Sequence, residues 1–227
     1  MFSKALFALP FLALSLIAAK APEVVIPPLP SIMAPAAVAA DPANKLTIEL
    51  SSGGAVVIQM RPDLAPHHVE RIQLLVRQGF YNGFKFHRVI PDFMAQGGDP
   101  KGDGSGGSSL PDLKAEFTNM PYFRGTVAAA RAEGPDSANS QFFIMFGPNM
   151  GLEKRYTVWG RVISGMDAVD RIAVGEPPEH PTTIVRAYLG DAAAPAVAPI
   201  VAAPAPAPVP APAPAPAPAP AATPHGG

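Results

Sequence analysis

From Lys45 the chain alternates apolar and polar residues, with Leu46, Ile48 and Leu50 on one side and Thr47 and Glu49 on the other. Ser51-Ser52-Gly53-Gly54 interrupts the run and Ala55 to Met60 resumes it, the pattern of a β-hairpin. Between Ala65 and Gln78 the spacing changes. Val69, Ile72, Leu75 and Val76 recur with helical period, and Gly79 supplies the stop. Short apolar runs punctuated by glycine and proline follow: Lys85 to Ile90, Met94 to Gly97, Thr126 to Ala130, Gln141 to Met145 and Val158 to Ile163. Met166 to Val174 predicts a second, short helix, and Thr182 to Leu189 alternates again as a closing strand. Many short strands with only two helices predict a mainly β, antiparallel barrel rather than a βαβ sheet.

Composition confines that fold to the middle of the 227 residues. Of 30 prolines, seven precede Asn44 and twelve follow Gly190. Residues 44–190 alone have ordinary globular composition, enough for one domain with a sizeable core. They carry 15 Lys+Arg and 15 Asp+Glu. A neutral domain lacks the basic face that displaces counterions from nucleic acid. The chain has no cysteine, which excludes disulfides, thiolate nucleophiles and zinc–cysteine sites.

The ends read differently. Lys4 followed by the uncharged run Ala5 to Ala19 has the form of a secretory signal peptide over residues 1–19. The alternative is an uncleaved membrane anchor. Small residues also allow cleavage as late as Ala39 or Ala40. Residues 20–43 are Pro/Ala-rich and predict a spacer rather than a folded element. In the tail, 191–227, alternating Ala-Pro removes every second backbone donor, which leaves a disordered, polyproline-like extension. It serves either as a tether or proline-module ligand, or simply as a solvated extension.

Several motifs dissolve on inspection. Gly102-Asp103-Gly104-Ser105-Gly106-Gly107 fits G-x-G-x-x-G but no helical period follows, so it predicts a flexible surface loop. Asp99, Asp103 and Asp112 miss the calcium-loop spacing. No two histidines have metal spacing; His67 and His68 are expected at the exposed start of the first helix. The G-x-S-x-G of a serine hydrolase does not occur. What remains is Phe84 to Asp99. Alternation there places Phe84, Phe86, Arg88 and Ile90 on one strand face, and an arginine among large apolar residues needs hydrogen bonds. Arg88 is therefore either a structural salt-bridge partner or a cation held in an apolar groove for a ligand carbonyl.

F-H-R-V-I-P-D-F-M-A-Q-G-G-D, at His87 to Asp99 with Phe86 before it, resembles the signature of the cyclophilin-type peptidyl-prolyl cis-trans isomerases. S-Q-F-F-I from Ser140 and L-E-K-R-Y-T-V-W-G-R-V-I-S-G-M-D from Leu152 resemble the same family's later blocks, in the same order. The resemblance spans residues 44–190. It implies a closed eight-stranded antiparallel barrel capped by two α-helices, and an isomerase acting on X–Pro bonds of proline-containing polypeptides. By the same resemblance Arg88 is the catalytic residue, and Phe93, Met94, Phe143 and Leu152 form the proline pocket. Gln96 bonds the substrate backbone, Ala130 and Arg131 flank its path, Tyr156 lies on the rim, and Gln141 and His87 support the site. No cofactor, metal or nucleic acid is implied, and a monomer is expected. Together with the signal peptide, this predicts a folding enzyme of the bacterial periplasm. A non-catalytic proline-binding chaperone or a tethered envelope scaffold is the alternative. The chain departs from the best-known forms at Gly151, where they carry Trp, and at Arg131, where they carry Asn. The missing indole predicts weak cyclosporin binding.

Overall fold

A computed structural model describes residues 31–190. The segment expected to be a signal peptide, 1–19, and the Ala-Pro tail, 191–227, lie outside the described residues. Eight strands form one sheet: β1 (Lys45–Leu50), β2 (Ala55–Met60), β3 (Arg88–Ile90), β4 (Met94–Gly97), β5 (Thr126–Arg131), β6 (Ala138–Met145), β7 (Val158–Ser164) and β8 (Ile184–Leu189). Every pairing is antiparallel, in the order β3-β4-β6-β5-β7-β2-β1-β8. The expected fold is present, with one correction to its closure. β3 and β8 end the ladder, and the seam between them is crossed by the bridge Lys85↔Thr183, with Phe86 N donating to Thr182 O at 2.9 Å and Ile184 N to Phe84 O at 2.8 Å. The barrel is thus half-closed by single pairs and not by a continuous ladder.

The strands form where alternation predicted them because one apolar face of each can be buried. Leu46, Ile48, Val56, Ile58, Val127, Ala129, Phe142, Ile144 and Trp159 fill the barrel interior. Helix α2 (Pro66–Arg77) starts with proline at its first position, where no amide partner is lost, and buries Val69, Ile72, Leu75 and Val76 against that core. The second expected helix is shorter than its pattern, α3 at Met166–Asp170, and buries Ala168 and Val169.

The start of α2 differs from expectation. His67 is exposed but His68 is 2% exposed, and both rings bond through Nδ1 to the Glu116 carboxylate, at 2.8 and 2.6 Å. Burial holds the His68 imidazole below its usual range, against the pull of Glu116. A neutral ring donating from Nδ1 satisfies the carboxylate, while its buried Nε2 has no hydrogen-bond partner among the described residues. The two backbone N–H groups of His67 and His68 reach the same carboxylate at 3.1 Å each, so the loop carrying Glu116 caps the helix in place of a local side chain.

The expected spacer, 20–43, is corrected over residues 31–43; residues 20–30 lie outside the described residues. Within 20–43, residues 36–40 form a short helix, α1 (Ala36–Ala40), and Pro42–Asn44 a 3-10 turn. Arg61 explains why this segment docks. Its guanidinium is 4% exposed, paired with Asp63 at 2.9 and 2.8 Å, and its Nη1 donates to Ser31 O at 3.0 Å and Ile32 O at 3.3 Å. Gln59 Nε2 donates to Val38 O at 3.3 Å and Gln73 Nε2 to Ala43 O at 3.0 Å. A buried cation stripped of acceptors costs about 1–3 kcal/mol per unsatisfied group. A fragment of residues 44–190 is therefore expected to be about 2 kcal/mol less stable than 31–190. Urea unfolding of the two fragments measures it, and equal midpoints would contradict the role given to Arg61.

Candidate active site

Strands whose two faces are both apolar leave a second cluster outside the barrel. On β6, Phe142 and Ile144 point inward, whereas Phe143 and Met145 point out; on β5, Val127 and Ala129 alternate with Ala128 and Ala130 in the same way. Met94, Met120, Tyr122 and Val158 complete the outer cluster, with Ile90, Phe93, Leu152 and Tyr156 packed on it. Between them runs a groove of about 280 Å³, lined by Arg88, Phe93, Met94, Gln96, Ala130, Arg131, Phe143, Leu152 and Tyr156. Nine of the residues singled out in the sequence therefore meet at one place, though they come from five separate stretches of chain.

Register fixes their order. Arg88 pairs with Gln96 across β3–β4, Gln96 with Phe143 across β4–β6, and Phe143 with Ala128 across β6–β5. Directly paired residues share a face, about 5 Å apart, so a cation, an amide and an aromatic ring stand side by side in one row. Met94, the next outward residue of β4, supplies the floor with Phe143; both are buried. The ring of Phe143 lies edge-on to Tyr156 at 5.5 Å and stacks on Tyr122 at 6.4 Å, 19° from parallel. Tyr122 is locked in turn by its hydroxyl, which donates to Tyr156 O at 2.8 Å; burial pushes the phenol up, so it stays a neutral donor.

Arg88 does not sit as alternation predicts. Phe86 and Val89 both enter the barrel core, because residues 84–86 pair across the seam with 182–184 while 88–90 pair with β4. The handover between the two partners turns the strand, so Arg88 shares no face with Phe86. Its side chain is 42% exposed and opens onto the groove. It also has an ion pair, from Nε to Glu176 Oε2 at 2.7 Å. The structure shows the salt bridge of the first alternative, at Nε, and places the same side chain on the border of the groove.

The remaining two residues stand behind the row. Gln141 accepts from Gln96 Nε2 at 2.9 Å, and its own Nε2 donates to Gly104 O at 3.0 Å and Gly106 O at 2.8 Å. Gln141 lies in an adjoining groove of about 360 Å³ that shares Gln96, Ala130 and Arg131 with the first. The expectation of a flexible loop at 102–107 is corrected here. The buried Asp99 carboxylate accepts from Lys101 N at 2.8 Å, Asp103 N at 3.1 Å and Gly104 N at 2.6 Å, which winds the loop around it. At Gly106 a Cβ would overlap Asp99 Oδ1, so the winding requires glycine. His87 is buried below the loop, and desolvation holds its imidazole below the usual range against the attraction of Asp99 and Asp103. Neither of its ring nitrogens has a hydrogen-bond partner among the described residues, and it does not line the groove.

Sequence reading missed three contributors. Tyr122 and Asp99 were legible only as an apolar aromatic and a loop acid. Glu176, 88 residues from its partner, carried no signal at all. The assembled surface has an apolar floor, one amide, the phenol of Tyr156 and two guanidiniums, Arg88 and Arg131, with no carboxylate, imidazole or thiol among its lining residues. It can grip a small apolar ring and donate hydrogen bonds to an amide beside it.

Residues 45–189 match the family described as cyclophilin type peptidyl-prolyl cis-trans isomerase/CLD. A probable peptidyl-prolyl cis-trans isomerase of Brucella suis is 52% identical over 165 residues, covering 66% of this chain and 84% of that protein. The human peptidyl-prolyl cis-trans isomerase-like 1 is 39% identical over 153 residues, covering 61% and 88%. Among solved structures, the cyclophilin AquaCyp293 from Hirschia baltica superposes with a TM-score of 0.61 at 31% identity, over 66% of this chain and 74% of that one. A Cryptosporidium parvum cyclophilin type isomerase, solved in the presence of the dipeptide Ala-Pro, gives 0.61 at 25% identity, over 65% and 99%.

Proposed function

The chain belongs to the cyclophilin-type peptidyl-prolyl cis-trans isomerases and accelerates rotation about X–Pro bonds; we propose that Arg88 carries the catalysis. The observation behind this is the in-register row of Arg88, Gln96 and Phe143, in which a guanidinium borders an apolar-floored groove. Phe93, Met94, Phe143 and Leu152 receive the proline ring, and Gln96 holds the substrate backbone. Ala130 and Arg131 line the path of the peptide, with Tyr156 at its rim.

Amide resonance holds an X–Pro bond planar behind a barrier near ~20 kcal/mol. Twisting the bond ends that resonance, returns the lone pair to the proline nitrogen and shifts charge on the carbonyl oxygen. A guanidinium donating to the nitrogen or a nearby carbonyl stabilises the twisted state more than either planar one. The pocket grips the ring while the acyl side turns. A 10⁴-fold acceleration needs about 5.5 kcal/mol, within the range of charge-assisted hydrogen bonds above an apolar floor. No bond is made or broken, so the groove needs no nucleophile. Recognition is confined to a proline ring and its flanking backbone, which supports accessible X–Pro segments of other polypeptides as substrates.

The site of action proposed is the bacterial periplasm, where the enzyme assists the folding of exported proteins. Support comes from Lys4 and the apolar run after it. Among the described residues no helix is long and apolar enough to cross a membrane. Fractionation with N-terminal sequencing tests this; an intact Met1 in the cytosol would refute it.

Arg88→Ala is expected to lower kcat/KM at least about 100-fold, roughly 2.7 kcal/mol of transition-state stabilisation, with the fold retained. A protease-coupled proline-isomerisation assay beside a thermal melt measures both, and parental turnover would sink the mechanism.

Gly151 adds a second expectation. It lies in a 3-10 turn, Met150–Leu152, where Asn149 Oδ1 accepts its N–H at 3.0 Å, and it presents no side chain to the groove edge. Loss of about 60 Å² of indole contact costs about 1.5 kcal/mol, near tenfold in affinity. Cyclosporin is therefore expected to bind weakly while turnover survives. Gly151→Trp should tighten inhibition about tenfold; unchanged affinity on restoring the indole refutes the account.

A further inference from the structure

Two arginines border the groove, and their surroundings differ. Arg131 is committed to backbone: Nε donates to Arg155 O at 3.0 Å, and Nη1 to Ala132 O at 2.9 Å and Glu133 O at 2.8 Å. It also lies over the Tyr156 ring at 4.9 Å, so it serves as a wall. Arg88 has a single partner. Its Nε donates to Glu176 Oε2 at 2.7 Å, and its two Nη groups make no hydrogen bond within the described residues. Of the five guanidinium N–H donors, the four on the Nη atoms stay available.

The partner is delivered by backbone. Val89 N donates to Gly175 O at 2.8 Å and Gly175 N to Val89 O at 3.0 Å, which pins residue 175 beside the neighbour of Arg88. Gly175 has φ +146°, and a Cβ there would lie 2.6 Å from Pro178 Cα and 2.8 Å from Pro178 N. Only glycine fits this turn, and the residue after it is thereby set opposite Arg88. Glu176 is not among the residues lining the groove and reaches Arg88 at Nε alone.

We propose that Glu176 is a positioning residue: by holding Nε it fixes the guanidinium plane and aims both Nη groups at the twisting bond. An unheld arginine has rotamer entropy to lose on reaching its substrate, whereas donors fixed beforehand need no reorganisation. This rests on the reading of Arg88 as the catalytic cation. The pair is half-exposed, at 42% and 51%, so its effect is modest and sensitive to salt.

The test compares the full chain with Glu176→Ala, Glu176→Gln, Arg88→Ala and the double Arg88→Ala, Glu176→Ala variant on a proline tetrapeptide. Glu176→Ala is expected to lower kcat about fivefold with KM and melting temperature little changed. Glu176→Gln keeps an oxygen acceptor for Nε and should recover most of the loss. In the Arg88→Ala background the Glu176→Ala change should have no further effect. About 1 M salt should bring the parent's kcat toward that of Glu176→Ala while leaving the variant unmoved. Unchanged or faster turnover in Glu176→Ala overturns the proposal, as does a loss confined to KM, a loss that Gln fails to rescue, or an equal loss in both backgrounds. Full kcat in Arg88→Ala refutes the reading of Arg88 itself, and the proposal with it, on a different variant.

Discussion

The site depends on strands β4, β5 and β6 carrying buried apolar residues on both faces. A barrel needs only its inward residues to be apolar, and Ala95, Val127, Ala129, Phe142 and Ile144 fill that role. The residues between them, Met94, Ala128, Ala130, Phe143 and Met145, belong to a separate outer cluster. Because successive side chains point to opposite faces, neither set can move without moving the other. A one-residue slip of β6 would carry Phe143 into the barrel and Phe142 into the groove. The core that stabilises the fold, with Trp159 against Phe142 at 5.9 Å inside the barrel, thereby holds the register of the binding floor.

The polar parts of the site are placed by a different means. Gln96, Gln141 and the carbonyls of Gly104 and Gly106 form a chain of bonds that ends in a loop wound on the buried Asp99. On the other flank the backbone pair of Val89 and Gly175 brings Glu176 to Arg88. The row of groove residues therefore stands between two anchored loops, each satisfying buried polar groups that would otherwise cost stability. Docking of residues 31–44 against Gln59 of β2 and Arg61 just after it follows the same rule: buried donors recruit carbonyls from whatever chain is nearby.

Alternation and helical period determined most of the fold. The bounds of β2 and β4 agree with the pattern, and those of β5, β6 and β7 extend it by one to three residues, because period-two apolar spacing has one way to be buried in a sheet. Ordered motif blocks also held seven of the nine residues that line the groove, and the family resemblance they carry added Ala130 and Arg131. Three things were decided only in three dimensions. Phe86 and Arg88 part company because their segment changes partner between β8 and β4, which local periodicity cannot register. Residues 31–43 look like a spacer because their ordering comes from Arg61 and Gln59, not from any periodicity of their own. Glu176 meets Arg88 through a turn set by Gly175, across 88 residues. Local pattern reports which face each residue must bury. Which distant partner satisfies a buried or charged group is settled only when the chain closes, since that choice depends on proximity in space and not along the sequence.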